Sequence, residues 1–412
     1  MRHTTRDLRR HNRSTLVSYL YHQRGASRVE LTRASGLSSA TVSNVVSELI
    51  ADGIVREAGS EDSEGGRPRA LLEVRPEFGD VIGVDIGETH IQVGLFDWTL
   101  RTKATVTYPV TDRRLTPASV VRRVQGGVDK VIADGGVEPG GLLGVGIGVP
   151  GAVQASARGP VAGTGQHPRS SVYAPTLGWS AVELMDMLKP SIEAPLYLDN
   201  CARTLGQAEM WLGAGRGAGR AIVALLGVGL GAALTVGSAS GQGATSDTSE
   251  WGHTVVNVGG APCRCGSRGC LEAYVGAEAI LTAYAARRGS RPLRETDVEA
   301  QVAELVRRAT EPGAAADVIA EAAEYLGIGI ANLVNLLHPD RVVLSGWAGD
   351  LIGPVALAGV RDAAARHALP YMFGDIRIEL GQLGSQAVAV GAATLPVMQI
   401  LATGERPAVP AR

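Results

Sequence analysis

Val81-Ile82-Gly83-Val84-Asp85-Ile86-Gly87-Glu88-Thr89-His90 runs directly into Ile91-Gln92-Val93-Gly94-Leu95-Phe96. The stretch reads as a strand, a tight turn and a returning strand, with β-branched residues on both sides of Gly87. An acidic residue and a hydroxyl at such a turn, Asp85 and Thr89, suit metal and phosphate contacts, and the turn's backbone amides can cradle an anion. A second glycine turn, Leu226-Gly227-Val228-Gly229-Leu230-Gly231, follows another apolar run. From Arg75-Pro76 onward, glycine-rich strands alternate with long helical stretches, which is an α/β signature. The paired strand-and-turn units predict two related halves around a cleft.

The chain has 412 residues, 45% of them hydrophobic, and a formal net charge of −2. That length predicts two or three domains, and the overall charge points to no nucleic-acid partner. The distribution of charge does. Eight arginines lie between Met1 and Arg33, against only Asp7 and Glu30, as expected where one end of a neutral chain meets phosphate; a solvated arginine-rich tail has the same composition. The N-terminus lacks the apolar core of a secretory signal, so a cytoplasmic protein is expected. The apolar run Ala221 to Gly237 is broken by glycines and reads as a pair of buried strands rather than a membrane span. Three of the four cysteines crowd between Cys263 and Cys270, a pattern that points to metal before disulfides.

The first eighty residues read as three helices and a hairpin. Leu16, Val17, Leu20 and Tyr21 place a first helix over Ser14 to Arg24. Ser27 caps a second helix through Ala34 that carries Val29 and Leu31 inward. A turn at Ser35-Gly36-Leu37-Ser38 leads into a third helix, Ser39 to Ala51, with an apolar stripe of Val42, Val45, Val46, Leu49 and Ile50. Two short helices joined by a glycine turn match a helix-turn-helix, and Ser39, Thr41, Ser43 and Asn44 are the expected contacts to base edges and backbone in a major groove. A plain three-helix bundle has the same periodicity. The strands around Ile54 to Glu57 and Ala70 to Val74 add a wing, whose tip Gly65-Gly66-Arg67-Pro68-Arg69 offers Arg67 and Arg69 to a minor groove.

The chain resembles the ROK family of repressors and sugar kinases. The resemblance rests on the Asp85-to-Thr89 turn, Gly148-Val149-Pro150-Gly151-Ala152-Val153, Leu177-Gly178-Trp179, Asp199-Asn200-Cys201, Glu250-Trp251-Gly252-His253 and Cys263-Arg264-Cys265-Gly266-Ser267-Arg268-Gly269-Cys270-Leu271-Glu272. It implies an α/β actin-like ATPase (sugar-kinase) fold in two lobes, and the preceding winged helix-turn-helix is the arrangement of the family's repressor branch. The expected organisation is a DNA-binding domain over 1–76 and a sensor domain over 77–402. The sensor's lobes span roughly 77–195 and 196–380, with the C-terminal helix returning to the first. A disordered tail, 403–412, is expected at the end.

His253 with Cys263, Cys265 and Cys270 makes a closed four-ligand set of the kind structural zinc requires, one ion per subunit. The resemblance implies that this zinc ties the cysteine loop to His253 and so shapes a sugar pocket. It assigns sugar hydroxyl contacts to Asn200, Glu250, His253 and Glu272, with Gly151 lining the cleft. In the family's kinases an aspartate follows the Asn and takes the proton from the sugar hydroxyl; alignment on Glu209, Trp211 and Gly213 puts Cys201 there, and a thiol is a poor substitute for a carboxylate base. The carboxylate lost at Cys201, together with Arg203 in place of a usual Asn, suggests an altered ligand such as a phosphorylated or acidic sugar, or an empty pocket. Glu88 replaces a glycine and would repel nucleotide phosphates. No catalytic residue is therefore expected. The expected function is a sugar-controlled, DNA-binding repressor of carbohydrate genes, a homodimer or tetramer on an operator, with no membrane partner. An active ATP-dependent sugar kinase carrying a DNA module and a regulator controlled by a protein partner are the competing readings.

Overall fold

The computed structural model describes residues 4–61, 69–110, 115–138, 140–155, 170–236 and 245–407, the side chains of 60, 61, 69, 155, 236 and 245–249 aside. The N-terminal unit begins with helix α1 (Thr5–Gln23). It starts nine residues before the expected Ser14, because Thr4 and Asp7 form a reciprocal capping box hidden in the charged run. A two-residue strand β1 (Ala26–Ser27) leads to α2 (Arg28–Ser35), where Ser27 and Glu30 repeat the device. Gly36 closes α2 at φ 69°, and α3 (Ser39–Ala51) starts from Ser38, whose hydroxyl accepts from the Thr41 amide. Leu31 is fully buried, but Val29 is 41% exposed, contrary to expectation. Two residues apart at about 100° per residue, Val29 and Leu31 point to nearly opposite faces of the helix. The hairpin of β2 (Val55–Glu61) and β3 (Arg69–Val74) forms the wing, with β1 paired on the other edge of β3. Arg67 lies outside the described residues, as does the side chain of Arg69.

The second unit opens with β4 (Asp80–Ile86), β5 (His90–Asp97), β6 (Thr102–Pro109), α4 (Pro117–Gly135) and β7 (Leu142–Val149). A small sheet of β8 (Ala152–Ala155), β9 (Ser170–Ala174) and β10 (Trp179–Val182) precedes α5 (Leu184–Leu188), β11 (Leu196–Asn200) and α6 (Cys201–Leu212). The second half contains β12 (Arg220–Leu226), β13 (Leu230–Val236), β14 (Thr245–Ser249), α7 (Glu272–Val275), α8 (Ala277–Ala286), α9 (Val298–Arg308) and α10 (Ala314–Leu337). It continues with β15 (Arg341–Ser345), α11 (Trp347–His367), α12 (Pro370–Phe373), β16 (Arg377–Leu380) and α13 (Ala387–Thr403).

The two sheets run β11-β7-β4-β5-β6 and β16-β15-β12-β13-β14. In each, three strands pair antiparallel as a meander and two more add in parallel. The halves are topological copies, as the paired turns implied. Strand β11 belongs to the first sheet, so the expected lobe boundary at 195/196 falls one strand early. Ala221 to Gly237 supplies the buried pair β12–β13.

Helix α13 crosses back onto the first sheet. A Cβ on Gly83 or Gly146 would fall 1.8 Å from the carbonyl oxygens of Ala389 and Ala392, so these glycines let helix and sheet backbones touch. Among the described residues one helical segment, Gly384–Thr403, is long and apolar enough to cross a membrane, and most of it is buried inside the protein. That burial is the signature of a core helix.

The N-terminal unit and the α/β unit that follows share one core. Leu16, Leu20, Val46 and Leu72 cluster with Phe96, Trp98, Val397 and Ile400. Tyr21 donates to the Trp98 carbonyl at 2.9 Å, and the His22 ring meets the Trp211 ring edge-on with centroids 4.9 Å apart. Gly404, expected in a disordered tail, is docked instead: its carbonyl accepts from buried Arg13 at 2.7 and 3.1 Å.

His22 makes this joint acid-sensitive. Its Nε2 is buried without a hydrogen-bond partner, and burial lowers its pKa from 6.5 to about 4. A depressed histidine favours the folded state above the unfolded pKa, and that contribution is lost as pH falls from 6.5 through 4. The contribution is about 3 kcal/mol at neutral pH. Urea titrations across this window are expected to show wild type losing stability with uptake of about one proton, and His22→Phe lacking that component. Identical pH profiles would refute it.

Candidate functional site

The β4–β5 and β12–β13 turns face each other across a cleft of about 610 Å³, within the range of small-molecule sites. All five residues expected to serve a sugar, Gly151, Asn200, Glu250, His253 and Glu272, line it. Gly151 is at φ +80°, and a Cβ there would strike the Tyr173 carbonyl at 2.1 Å; only glycine permits the turn. Asn200 is the cap of α6: its Oδ1 accepts from the Ala202 and Arg203 amides, and its Nδ2 donates to the Gly151 carbonyl at 2.7 Å. One amide hydrogen remains for a ligand.

Glu272 is buried at the start of α7, and its Oε2 accepts from the Leu230 amide at 2.9 Å. Glu250 is mostly exposed, 3.9 Å from His253 Nε2. The other face of that imidazole turns to the cysteines. His253 Nδ1 lies 3.6 Å from Cys263 Sγ, and Cys265 and Cys270 sulfurs are 3.8 Å apart. All four ligand atoms lie within 4.8 Å of one another, a group that could hold a metal ion. The loop closes on itself through Gly269, where φ is +78° and a Cβ would meet the Asn257 carbonyl at 1.7 Å. Burial pushes the Cys263 thiol up, while the Ser267 backbone holds Cys265 down.

Cys201 lines the cleft one residue beyond Asn200, and Asp199 does not. Burial pushes the Cys201 thiol up, and the charges of Asp85 and Glu88 act the same way. Arg203 does not line the cleft; its guanidinium sits 3.4 Å from Asp199. The Arg203 part of the altered-ligand reading therefore loses its support, since Arg203 pairs with Asp199 at the end of β11 instead of reaching the cavity, while Cys201 does line it. Glu88 is not a bare charge, because Arg264 pairs with it at 3.0 Å. Sequence reading missed Arg264 and His90, which line the cleft, and Glu299, which bonds to the cleft residues Thr89 and His90; their partners lie up to 210 positions away, beyond any local pattern.

On the N-terminal unit, Ser39, Ser43 and Asn44, the expected DNA contacts, are exposed along one side of α3, while Thr41 is half-buried and bonded to Ser38 at 2.9 Å.

The profile of the ROK family matches residues 81–398. The chain belongs to the ROK family. A xylose repressor from Caldicellulosiruptor bescii is 28% identical over 406 residues, covering 97% of this chain and 98% of its own. A ROK family transcriptional regulator, homologous to the MLC protein of E. coli, superposes with a TM-score of 0.73 over 95% of this chain and 98% of its own at 20% identity, a likeness of fold. A ROK glucokinase from Streptomyces griseus, solved with glucose and AMPPNP, gives a TM-score of 0.63 at 26% identity; it covers 77% of this chain and 99% of its own. The ROK profile begins at residue 81, after the winged helix, and the relatives spanning nearly the whole chain are regulators.

Proposed function

We propose that this ROK protein is a sugar-responsive transcriptional repressor in which α3 reads operator DNA and the cleft binds a neutral monosaccharide. The observation that carries the reading is the shared core: the DNA-reading helices are packed directly on the sheet, α6 and α13 that frame the sugar set. A change in cleft closure is then passed to α3 as a rigid-body movement, and it shifts the DNA-bound population only by the sugar's preference for one closure state. Two copies would present their α3 helices about one helical turn apart, near 34 Å, on a pseudo-palindromic operator.

Kinase chemistry is not expected of this cleft. A proton acceptor at position 201 must be charged near neutral pH, and burial keeps the Cys201 thiol neutral. The metal fits zinc. Tetrahedral Zn–S and Zn–N bonds of about 2.3 and 2.0 Å imply edges of about 3.8 Å between sulfurs and about 3.5 Å between sulfur and nitrogen; Cys265 and Cys270 sulfurs are 3.8 Å apart and His253 Nδ1 is 3.6 Å from Cys263, with all four ligand atoms within 4.8 Å of one another. His253, Cys263, Cys265 and Cys270 would hold the ion, which would neutralise the thiolates and leave His253 Nε2 facing the cleft.

The test is fluorescence anisotropy on DNA from the protein's own upstream region, with neutral pentoses and hexoses added. Binding that at least one sugar weakens by about tenfold or more is expected, within the usual range of coupling energies. DNA binding that no sugar changes, or sugar phosphorylation with ATP, would overturn the reading.

A further inference from the structure

The places in the cleft that would face nucleotide phosphates are already taken by the chain's own side chains. Arg264 donates to Glu88 on the first turn at 3.0 Å and grips both oxygens of Glu272 at 2.7 and 3.2 Å. The same guanidinium lies against the second turn: a Cβ on Gly229 would fall 2.2 Å from an Arg264 terminal nitrogen. Next to it, the Thr89 hydroxyl donates to Glu299 Oε1, and His90 Nδ1 shares that oxygen at 3.0 Å. His90 Nε2 meanwhile faces Asp85 at 3.5 Å. Thr89, His90 and Glu88 belong to the first half and Arg264 and Glu299 to the second, so both contacts span the cleft.

Charge decides what this arrangement admits. Asp85, Glu88, Glu272 and Glu299 supply four carboxylates against two cations, Arg264 and His90. Burial opposes the His90 charge, but hydrogen bonds to Asp85 and Glu299 outweigh it and raise the imidazole to about 10. The cation therefore persists at neutral pH. A phosphate entering here must evict Glu299 from Thr89 and join a set that is already net negative.

We propose that Arg264 and Glu299 form a two-point latch that joins the lobes at the phosphate turns, making Glu299 the residue that excludes nucleotide and phosphorylated sugars. The latch also gives Glu272 two competing partners. A sugar hydroxyl binding Glu272 draws it from Arg264 and loosens the hold on Glu88, which deepens the sensor reading and rests on it for the sugar alone.

The test compares the full-length protein with Glu299→Ala and Glu299→Gln by hydrogen–deuterium exchange and by calorimetry against Mg·AMPPNP and glucose 6-phosphate. Wild type is expected to bind neither anion at millimolar concentration. Both variants are expected to exchange the amides of 87–90 about tenfold faster, and Glu299→Ala to acquire measurable binding of at least one anion. Sugar-free exchange isolates the latch from the sensor reading. Wild-type binding of Mg·AMPPNP, or unchanged exchange in both variants, would overturn it. Glu299→Gln keeps the side chain's shape, so the comparison survives if Glu299→Ala folds poorly.

Discussion

Arg13→Ala is expected to lower the unfolding free energy by about 3 kcal/mol and to loosen the N-terminal unit from the ROK domain. Arg13 is 4% exposed on α1. Its Nε and one terminal nitrogen both donate to the Gly404 carbonyl, and its terminal nitrogens reach Glu48 on α3 and Asp52 just beyond its end. One guanidinium thus ties the first helix to the end of the reading helix and to the end of α13. The two carboxylates are partly exposed and would regain water on truncation, so their share of the loss is small. The carbonyl and the cavity beneath α1 would not recover. Most of the cost therefore falls on the junction rather than on surface ion pairs. Urea denaturation measures the total, and amide exchange in 16–20 and 400–404 locates it. A loss below about 1 kcal/mol would mean that the apolar core alone carries the joint. Arg13→Lys, which keeps the charge but not the fork, is expected to fall between wild type and alanine.

What the sequence disclosed and what it hid divide along the range of the forces involved. Helix α3 was legible to the residue, because Ser38 caps it and four valines and leucines mark one face at helical spacing. The two sheets were legible because glycine turns punctuate apolar runs of strand length. The histidine–cysteine cluster was legible through ligand spacing, since His253 and three cysteines lie within eighteen positions of one another. The start of α1 was hidden, because its capping box lies in a polar run with no apolar stripe. Glu88 was read as a repelling charge because its partner Arg264 stands 176 positions away. Gly404 was read as tail for the same reason: Arg13 lies 391 positions upstream. Charges are legible in sequence only as charges. Whether they repel, pair or latch is settled by the fold that brings them together.

The cysteine cluster carries the second large effect. Cys270→Ser is expected to reduce bound zinc from about one ion per chain to near none and to weaken sugar binding by about ten- to a hundredfold or more. Cys270 is fully buried, and its sulfur packs 3.8 Å from Cys265. A serine hydroxyl there is a far weaker ligand than a thiolate, and three remaining ligands leave an open position that a structural site does not tolerate. The consequence for the cleft follows from connectivity. Val255 bridges to Cys270, the Leu271 amide donates to the Thr254 carbonyl, and Glu272 begins α7 two residues on. Releasing Cys270 therefore frees His253 and Glu272 together, and with them two of the five cleft residues proposed to face the sugar. A chelator is expected to reproduce the defect in wild type and added zinc to reverse it. Metal analysis and sugar calorimetry on the same samples decide the matter. A metal-free wild type that still folds and still binds sugar would sink the assignment, because the cluster would then hold its geometry by packing alone.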